Sequence, residues 1–212
     1  GGGYKARDTH PGRTVPRKQL TENLKDHPTA VQFFERGSRS AAALNHPNIV
    51  TIYDAGQENG TYFISMEFME GTPLDAILKK HGAIKPAIVA RLATQIAAGL
   101  DYAHRNKIIH RDIKTANLFF TKDKIVKIMD FGLAKMVEEV RRGATVIGGT
   151  PYYMAPEQAT GEGGDHRADL YAFGVTLFQL LTGAVPFAKG DVTYHHRHTP
   201  PPDPRALVAD IP

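Results

Sequence analysis

The chain has 212 residues, of which 42% are hydrophobic and 23% charged, and its formal net charge is +4. This length can bury a core as one or two small domains. The mild charge, without a dense block of lysine and arginine, argues against nucleic acid as a partner. The absence of cysteine excludes disulfides, thiol nucleophiles and thiolate metal sites. No run approaches the roughly 18 apolar residues of a membrane span and no signal peptide opens the chain, so we expect a cytoplasmic protein.

The first third of the chain predicts one helix and two strands. Residues 29–44 carry apolar side chains at roughly helical spacing, and Asn45-His46-Pro47 follows as a stop signal. Strands are predicted at residues 49–53 and 62–66, because both runs are short, apolar and rich in strand-forming residues. The turn-rich residues 55–60 are predicted to join them.

Two helices are predicted next. Thr72 and Pro73 form an N-cap and first-turn pair for a short helix that ends at Gly82. A longer amphipathic helix spans residues 85–105. Its apolar stripe, which we expect in the core, recurs every four residues at Ile88, Leu92, Ile96 and Leu100.

A fourth, strongly apolar helix is predicted over residues 169–181, with Gly183 beyond its end. Its first residue is Asp169, and burying a carboxylate is costly unless its oxygens are hydrogen-bonded. On the preceding helix, Asp101 and His104 are predicted to be surface groups. 

The end of the chain, from Ala184 onward, is rich in proline and histidine. A histidine cluster suggests a metal site, but neither an acidic nor a cysteine ligand set lies nearby in the sequence. We therefore predict a surface loop.

The stretch over residues 108–132 holds two polar clusters in apolar surroundings, HRDIKTAN at 110–117 and DFG at 130–132. Two short apolar runs between them flank a polar turn at 121–124, which predicts a β-hairpin. An antiparallel hairpin brings its open ends together, so Asn117 should lie close to Asp130.

An amide oxygen beside a carboxylate is a pair of hard ligands suited to Mg²⁺, which takes its other contacts from water and phosphate oxygens. Asp112 adds a carboxylate that can accept a proton from an attacking hydroxyl, and Lys114 adds a cation near the transferring group. The residues therefore predict a phosphoryl-transfer site with Asp112, Lys114, Asn117 and Asp130 as catalytic residues, and Asn117 and Asp130 as metal ligands.

HRDIKTAN, DFG and then Ala155-Pro156-Glu157 occur in the order and spacing of the eukaryotic-like protein kinases, and the chain most resembles their bacterial serine/threonine branch. The resemblance implies an α+β, two-lobed fold, with an incomplete β-rich N-lobe at 1–69 and a truncated helical C-lobe at 70–212. It implies ATP and Mg²⁺ as cofactors and phosphorylation of serine or threonine in a protein substrate, as a signal-transduction enzyme. A homodimer for trans-autophosphorylation is a further expectation.

By the same resemblance, five residues bind the nucleotide. Lys18 is the strand lysine that holds the α- and β-phosphates. Backbone groups of the hinge, residues 67–69 (Glu67, Phe68 and Met69), hydrogen-bond the adenine, and Phe119 also contacts the nucleotide.

The N-terminal part departs from the family pattern. Residues 1–20 resemble the end of the family's glycine-rich loop and the two strands after it, but the full glycine motif is absent. Pro16 falls within one of these strands, where proline is expected only at an edge or an end. Gly37 stands where the family has the glutamate that pairs with the strand lysine. Glu35 is about 200° round a helix from it and is predicted to be a surface charge. These departures leave open an alternative, a catalytically inactive pseudokinase or kinase fragment that binds nucleotide or partners.

The resemblance also assigns supporting roles. His110 and Phe131 are packing residues that align the two polar clusters, and Arg111 and Gly132 support the same loops. Asp169 holds the backbone of the HRDIKTAN segment.

Residues 133–150 resemble an activation loop, a segment that a phosphate can order by pairing with basic side chains. Thr145 and Thr150 are its only hydroxyls and are both phosphosite candidates. Thr145 is the better one, because Thr150 is implied to support the catalytic loop. The sequence stops before the last helices of the family, so Glu157 is expected to lack its arginine partner, which would loosen the C-terminal lobe.

Overall fold

The computed structural model describes residues 3–7, 14–19, 37–58, 61–131, 151–160 and 164–212, the first two ranges as backbone only. Several predictions lie outside these residues: those on Glu35, Gly132, Thr145, Thr150 and the side chain of Lys18.

The N-terminal part forms a four-stranded antiparallel sheet in the order β1-β2-β4-β3. Its strands are β1 (Gly3–Arg7), β2 (Thr14–Gln19), β3 (Ile52–Glu58) and β4 (Thr61–Met66). Pro16 pairs with Lys5 of β1, whereas the register between β2 and β4 begins only at Arg17. Pro16, which has no N–H to donate, therefore lies where β2 is paired with β1 alone. This local edge position confirms the expectation that a proline in a strand lies at an edge or an end.

The predicted bounds of the strand at residues 49–53, which corresponds to β3, were wrong. β3 begins at Ile52 and continues to Glu58 through residues predicted as a turn, and Gly56 pairs there with Phe63. A Cβ at Gly56 would lie 3.4 Å from the Phe63 ring, so this ring packs beside the glycine. Residues 49–50 lie outside β3 and run beside the strand that contains Ile128. The N–H of Val50 donates to the carbonyl of Ile128 at 3.0 Å.

The predicted helix at 29–44 is described from residue 37, and its helical part ends at residue 42. Ala41 and Leu44 are buried, each 2% exposed.

A second, three-stranded antiparallel sheet has the order β5-β6-β7, from β5 (Gly71–Pro73), β6 (Leu118–Thr121) and β7 (Val126–Ile128). β6 and β7 form the predicted hairpin, which is confirmed. Thr72 and Pro73 pair with β6, so the helix predicted to begin there begins instead at Leu74. At Gly71 a Cβ would collide with the carbonyl oxygen of Phe120, so this close approach requires glycine.

The helices are α1 (Leu74–His81), α2 (Pro86–Arg105), α3 (Pro156–Ala159), α4 (Arg167–Thr182) and α5 (Val192–His198). Short 3-10 turns occupy Thr115–Asn117 and Pro204–Ala206. Within the described ranges, no helix is long and apolar enough to cross a membrane.

The main core lies between α2, α4 and the β6–β7 hairpin. Leu92, Ile96 and Leu100 are buried as predicted, at 4%, 0% and 1% exposure. Ile88 is 40% exposed, and Val89 takes its place at 3%. A four-residue spacing drifts about 40° per step round a helix of 3.6 residues per turn, so the stripe leaves the core after several steps.

The predicted surface loop after Ala184 was wrong, because α5 forms there. The side chain of Asp191 accepts a hydrogen bond from the Tyr194 N–H at 2.9 Å and so caps the helix, a sequence signal that the prediction missed. On α5, His196 is only 5% exposed.

Candidate active site

The hairpin brings the two polar clusters together. Leu118 pairs with Ile128, and the Met129 N–H donates to the Asn117 carbonyl at 2.9 Å. Asn117 and Asp130 therefore flank the open end of the hairpin. Asp130 has φ 66°, in the left-handed region that non-glycine residues rarely adopt, so the chain turns sharply there.

Asn117 is buried, and its amide nitrogen Nδ2 makes two hydrogen bonds to Asp112. One goes to the Asp112 carbonyl at 2.8 Å and the other to Oδ2 at 3.0 Å. Because both amide hydrogens are used, the oxygen Oδ1 is left as an acceptor or ligand. This oxygen and the carboxylate of Asp130, two residues beyond the end of the hairpin, are both hard donors of the kind that Mg²⁺ takes.

Asp112 and Lys114 meet at the open side of this arrangement. The Lys114 Nζ lies 2.8 Å from Asp112 Oδ2, with side chains 35% and 44% exposed. Such an exposed ion pair contributes little to stability. The ion pair instead orients the Asp112 carboxylate, because Lys114 and Asn117 both hold Oδ2. Oδ1 is then the oxygen that can accept a proton.

His110 is fully buried and connects the two clusters. Its Nε2 lies 2.6 Å from the Met129 carbonyl, and its Nδ1 accepts from the Asp112 N–H at 3.1 Å. Since a carbonyl can only accept, the network assigns the proton to Nε2. The ring stands edge-on to Phe131, with centroids 4.7 Å apart. His110 is thus placed as a packing residue and not at the reacting atoms.

Asp169 anchors the segment 110–117, the catalytic loop, from behind. It is fully buried and accepts hydrogen bonds from the N–H groups of His110 and Arg111, at 2.8 and 2.7 Å. Burial acts to raise the pKa of Asp169. The hydrogen bond to His104, the electrostatic attraction of His110 and the two backbone donors together outweigh it, so the pKa lies below its ordinary value. The bond to Arg111 also holds a residue with φ 69°, a strained conformation.

The prediction that His104 is a surface group was wrong. Its side chain is 12% exposed, and Nε2 lies 2.8 Å from Asp169 Oδ2. Asp101, one turn earlier, does lie on the surface and pairs with Arg105 at 3.0 Å. The partner of His104 is 65 residues away in the sequence, so helical periodicity could not identify it.

Three further polar side chains at the catalytic loop were not predicted. Thr115 is 2% exposed and its hydroxyl donates to Gln179 Oε1 of α4 at 3.2 Å. Tyr153, just before Ala155-Pro156-Glu157, donates to the same oxygen at 2.6 Å. Burial raises the pKa of Tyr153. The only sequence signal was the position of Thr115 between Lys114 and Asn117.

The predicted nucleotide residues lie on or next to strands of both sheets. The hinge follows β4, and the Glu67 N–H donates to the Thr51 carbonyl at 2.9 Å. Phe68 is 43% exposed, and Phe119 on β6 is partly buried opposite Lys127. The backbone of Lys18 lies in β2 opposite Ile64 of β4.

Glu157 is the second residue of α3 and is partly exposed. A Cβ at Gly164 would lie 3.2 Å from its Oε1, so the chain passes close to this carboxylate. Arg167 of α4, whose main partner is Asp165 at 3.0 Å, also lies within electrostatic reach of Glu157.

Comparison with known proteins gives one family. The model of the protein kinase domain matches residues 1–201. The chain is 38% identical to serine/threonine-protein kinase pkn3 of Myxococcus xanthus, over 95% of this chain and 40% of that protein. It is 39% identical to serine/threonine-protein kinase PknB of Mycolicibacterium smegmatis, over 97% of this chain and 35% of that protein. The chain thus spans two fifths or less of the length of these curated relatives.

Among solved structures, the kinase domain of PknI from Mycobacterium tuberculosis superposes with a TM-score of 0.79 at 27% identity. The match covers 99% of this chain and 77% of that chain. It confirms the predicted two-lobed α+β fold.

Proposed function

Because this chain belongs to the protein kinase family, in its bacterial-type serine/threonine branch, we propose that it transfers the γ-phosphoryl group of ATP to serine or threonine hydroxyls of a protein. The observation that carries this proposal is the group at the open end of the hairpin. There Asp112 contacts Lys114 and Asn117 at 2.8 to 3.0 Å, and Asp130 lies two residues after the end of β7. Phosphoryl transfer depends on positioning and electrostatics, which such a group supplies.

Asp112 orients the attacking hydroxyl and accepts its proton on Oδ1, while Lys114 and Asn117 hold Oδ2. The ammonium group of Lys114 stabilises negative charge on the transferring phosphoryl oxygens. His110 and Asp169 keep the loop in this geometry without contacting the reacting atoms.

Asn117 Oδ1 and the carboxylate of Asp130 would hold Mg²⁺. When bound, the ion neutralises charge on the phosphate oxygens and orients them. The hinge backbone at residues 67–69 would receive the adenine, Phe119 would pack against the nucleotide, and Lys18 would hold the α- and β-phosphates.

The remaining proposals follow from the same family membership. The lobe boundary lies between residues 69 and 70, and the reaction takes place in the cytoplasm as part of signal transduction. A second copy of the chain phosphorylates Thr145 or Thr150 in a transient homodimer.

The test is incubation of the purified chain with Mg²⁺-ATP and a serine- and threonine-containing peptide mixture, with intact mass as the readout. Asp112→Asn is the control, and circular dichroism verifies that both proteins are folded. We expect added phosphate with the parent and none with the control, and fragment mapping then distinguishes Thr145 from Thr150. A folded parent that phosphorylates neither itself nor peptide would contradict the proposal and favour the inactive binding module.

A further inference from the structure

A largely buried ion pair joins the hinge to the strand that precedes Asp130. The Nζ of Lys127 lies 2.7 Å from Glu67 Oε1, and the two side chains are only 15% and 19% exposed. Glu67 is the first residue after β4, and Lys127 is the middle residue of β7, three positions before Asp130. The pair therefore connects the region proposed to bind adenine with the region proposed to hold the metal.

A third segment is tied into the same pair. Glu67 Oε1 also accepts the Thr51 N–H at 2.7 Å, and the Glu67 N–H donates to the Thr51 carbonyl at 2.9 Å. One residue earlier, the Val50 N–H donates to the Ile128 carbonyl at 3.0 Å. The hinge, residues 50–51 and β7 thus hold one another in a closed set of contacts, and the Lys127–Glu67 pair closes it.

We propose that Lys127 is a positioning residue that, through Glu67, sets the hinge at a fixed distance from Asp130. This inference rests on the proposed function, because the distance determines whether one nucleotide can reach both ends of its site. Positional errors of about 1 Å can cost on the order of a hundredfold in rate.

The placement of Lys127 favours positioning over general stability. Its neighbours Val126 and Ile128 point into the core and are fully buried, whereas Lys127 lies on the opposite face of β7 beside Glu67. Largely buried ion pairs are often no more stabilising than apolar replacements of similar size, so their effect lies in the geometry they impose.

The chain offers a matched control. Lys122 and Glu70 form an ion pair of the same length, 2.7 Å, between the residue after the hinge and the hairpin turn. Their side chains are 70% and 60% exposed, so solvent screens the attraction. The Lys122–Glu70 pair thus links nearly the same two regions, but through a contact that is exposed to solvent.

The experiment measures KM for ATP, KM for peptide and kcat in the parent, K127M, K127R, E67Q and K122M. We expect K127M and E67Q each to raise KM for ATP about tenfold, as one decade corresponds to a modest change in binding energy. In both variants KM for peptide should change less than about twofold. K127R keeps the positive charge, so its KM for ATP should equal that of the parent. E67Q keeps an oxygen acceptor for the Thr51 N–H, so it removes only the charge.

The double variant K127M/E67Q should be no worse than either single one, because both changes remove the same interaction. The Kd of a fluorescent ATP analogue, measured without turnover, should rise with KM for ATP, and K122M should leave both unchanged. Unchanged values in K127M, additive effects in the double variant, or equal rises in both KM values would each overturn the inference.

Two outcomes separate this inference from the proposed function. A parent that transfers no phosphate contradicts the function, while the Kd of the analogue still tests Lys127. If K127M does not fold, K127R against E67Q supplies the same comparison, because only E67Q removes the ion pair.

Discussion

The catalytic loop and the hinge are held in different ways. The loop is anchored from inside the protein by Asp169, a fully buried carboxylate that accepts two backbone N–H groups and contacts His104. The hinge is held by a largely buried ion pair between Lys127 and Glu67 and by hydrogen bonds between Glu67 and the backbone of Thr51. The comparison indicates that the proposed reacting groups are fixed by the fold, whereas the proposed position of the nucleotide depends on charge pairing.

The physical reason is the environment of each charge. A hydrogen bond to a charged group contributes about 1.5–3 kcal/mol, and salt screens a buried one much less than an exposed one. In a largely buried ion pair the cost of desolvation offsets much of the attraction, so the pair fixes geometry more than it adds stability. Changes at the loop should therefore alter stability and kcat, and changes at the hinge should alter KM for ATP.

The largest expected effect comes from Asp169→Ala. Two buried N–H groups and His104 would lose their acceptor, so we expect the free energy of unfolding to fall by about 3–5 kcal/mol. Urea unfolding followed by circular dichroism measures it. Asp101→Ala, on the exposed face of α2, should change the value by less than about 0.5 kcal/mol. Equal unfolding curves for the parent and Asp169→Ala would show that the loop is not anchored from within.

Thr115→Val should have a smaller effect. The valine removes the hydroxyl that bonds Gln179, while Tyr153 still donates to the same oxygen. We expect about 1 kcal/mol lower stability and a several-fold lower kcat, with KM for ATP unchanged.

Thr94→Val is the control for this variant, because the Thr94 hydroxyl is exposed and bonds only the Ala90 carbonyl of its own helix. A rise in KM for ATP in Thr115→Val, with kcat unchanged, would break the separation between loop and hinge.

The smallest expected effect is a pH dependence of stability. It distinguishes Asp169, which anchors the catalytic loop, from His196 on α5. Burial lowers the pKa of His196 more than the nearby carbonyls of Tyr152 and Pro151 raise it, and the charge of His195 acts in the same direction as burial. As pH falls below about 6.5, the unfolded chain binds a proton at this position before the folded one does, so stability falls. The stabilisation from Asp169, whose pKa is lowered, remains until pH falls below about 3.9 and is lost through its folded pKa.

Urea unfolding at pH 7 and pH 5 tests this difference. The parent should lose more stability than His196→Gln over this range, because only the parent has a group at this position whose pKa is lowered by folding. The Tyr171 hydroxyl lies 2.7 Å from His196 Nδ1, and the glutamine amide can keep a hydrogen bond with this hydroxyl as donor or as acceptor. The same pH slope in both proteins would exclude His196 as its source.

The sequence alone predicted the features that depend on short-range pattern. The β6–β7 hairpin followed from two apolar runs around a polar turn, and it placed Asn117 at the end facing Asp130. The α2 stripe and the end of α4 at Gly183, which has φ 81°, followed from helical periodicity and from the freedom of glycine. Ordered motifs then identified the kinase family.

The tertiary structure decided which side chains serve those motifs. His104 meets Asp169 across 65 residues of sequence, Thr115 meets Gln179 across 64, and Lys127 meets Glu67 across 60. Periodicity of two or 3.6 residues assigns a side chain to a face but carries no information on what packs against that face. These partners are therefore set by the packing of α2, α4 and the hairpin, and that packing gives the catalytic loop its buried anchor and the hinge its ion pair.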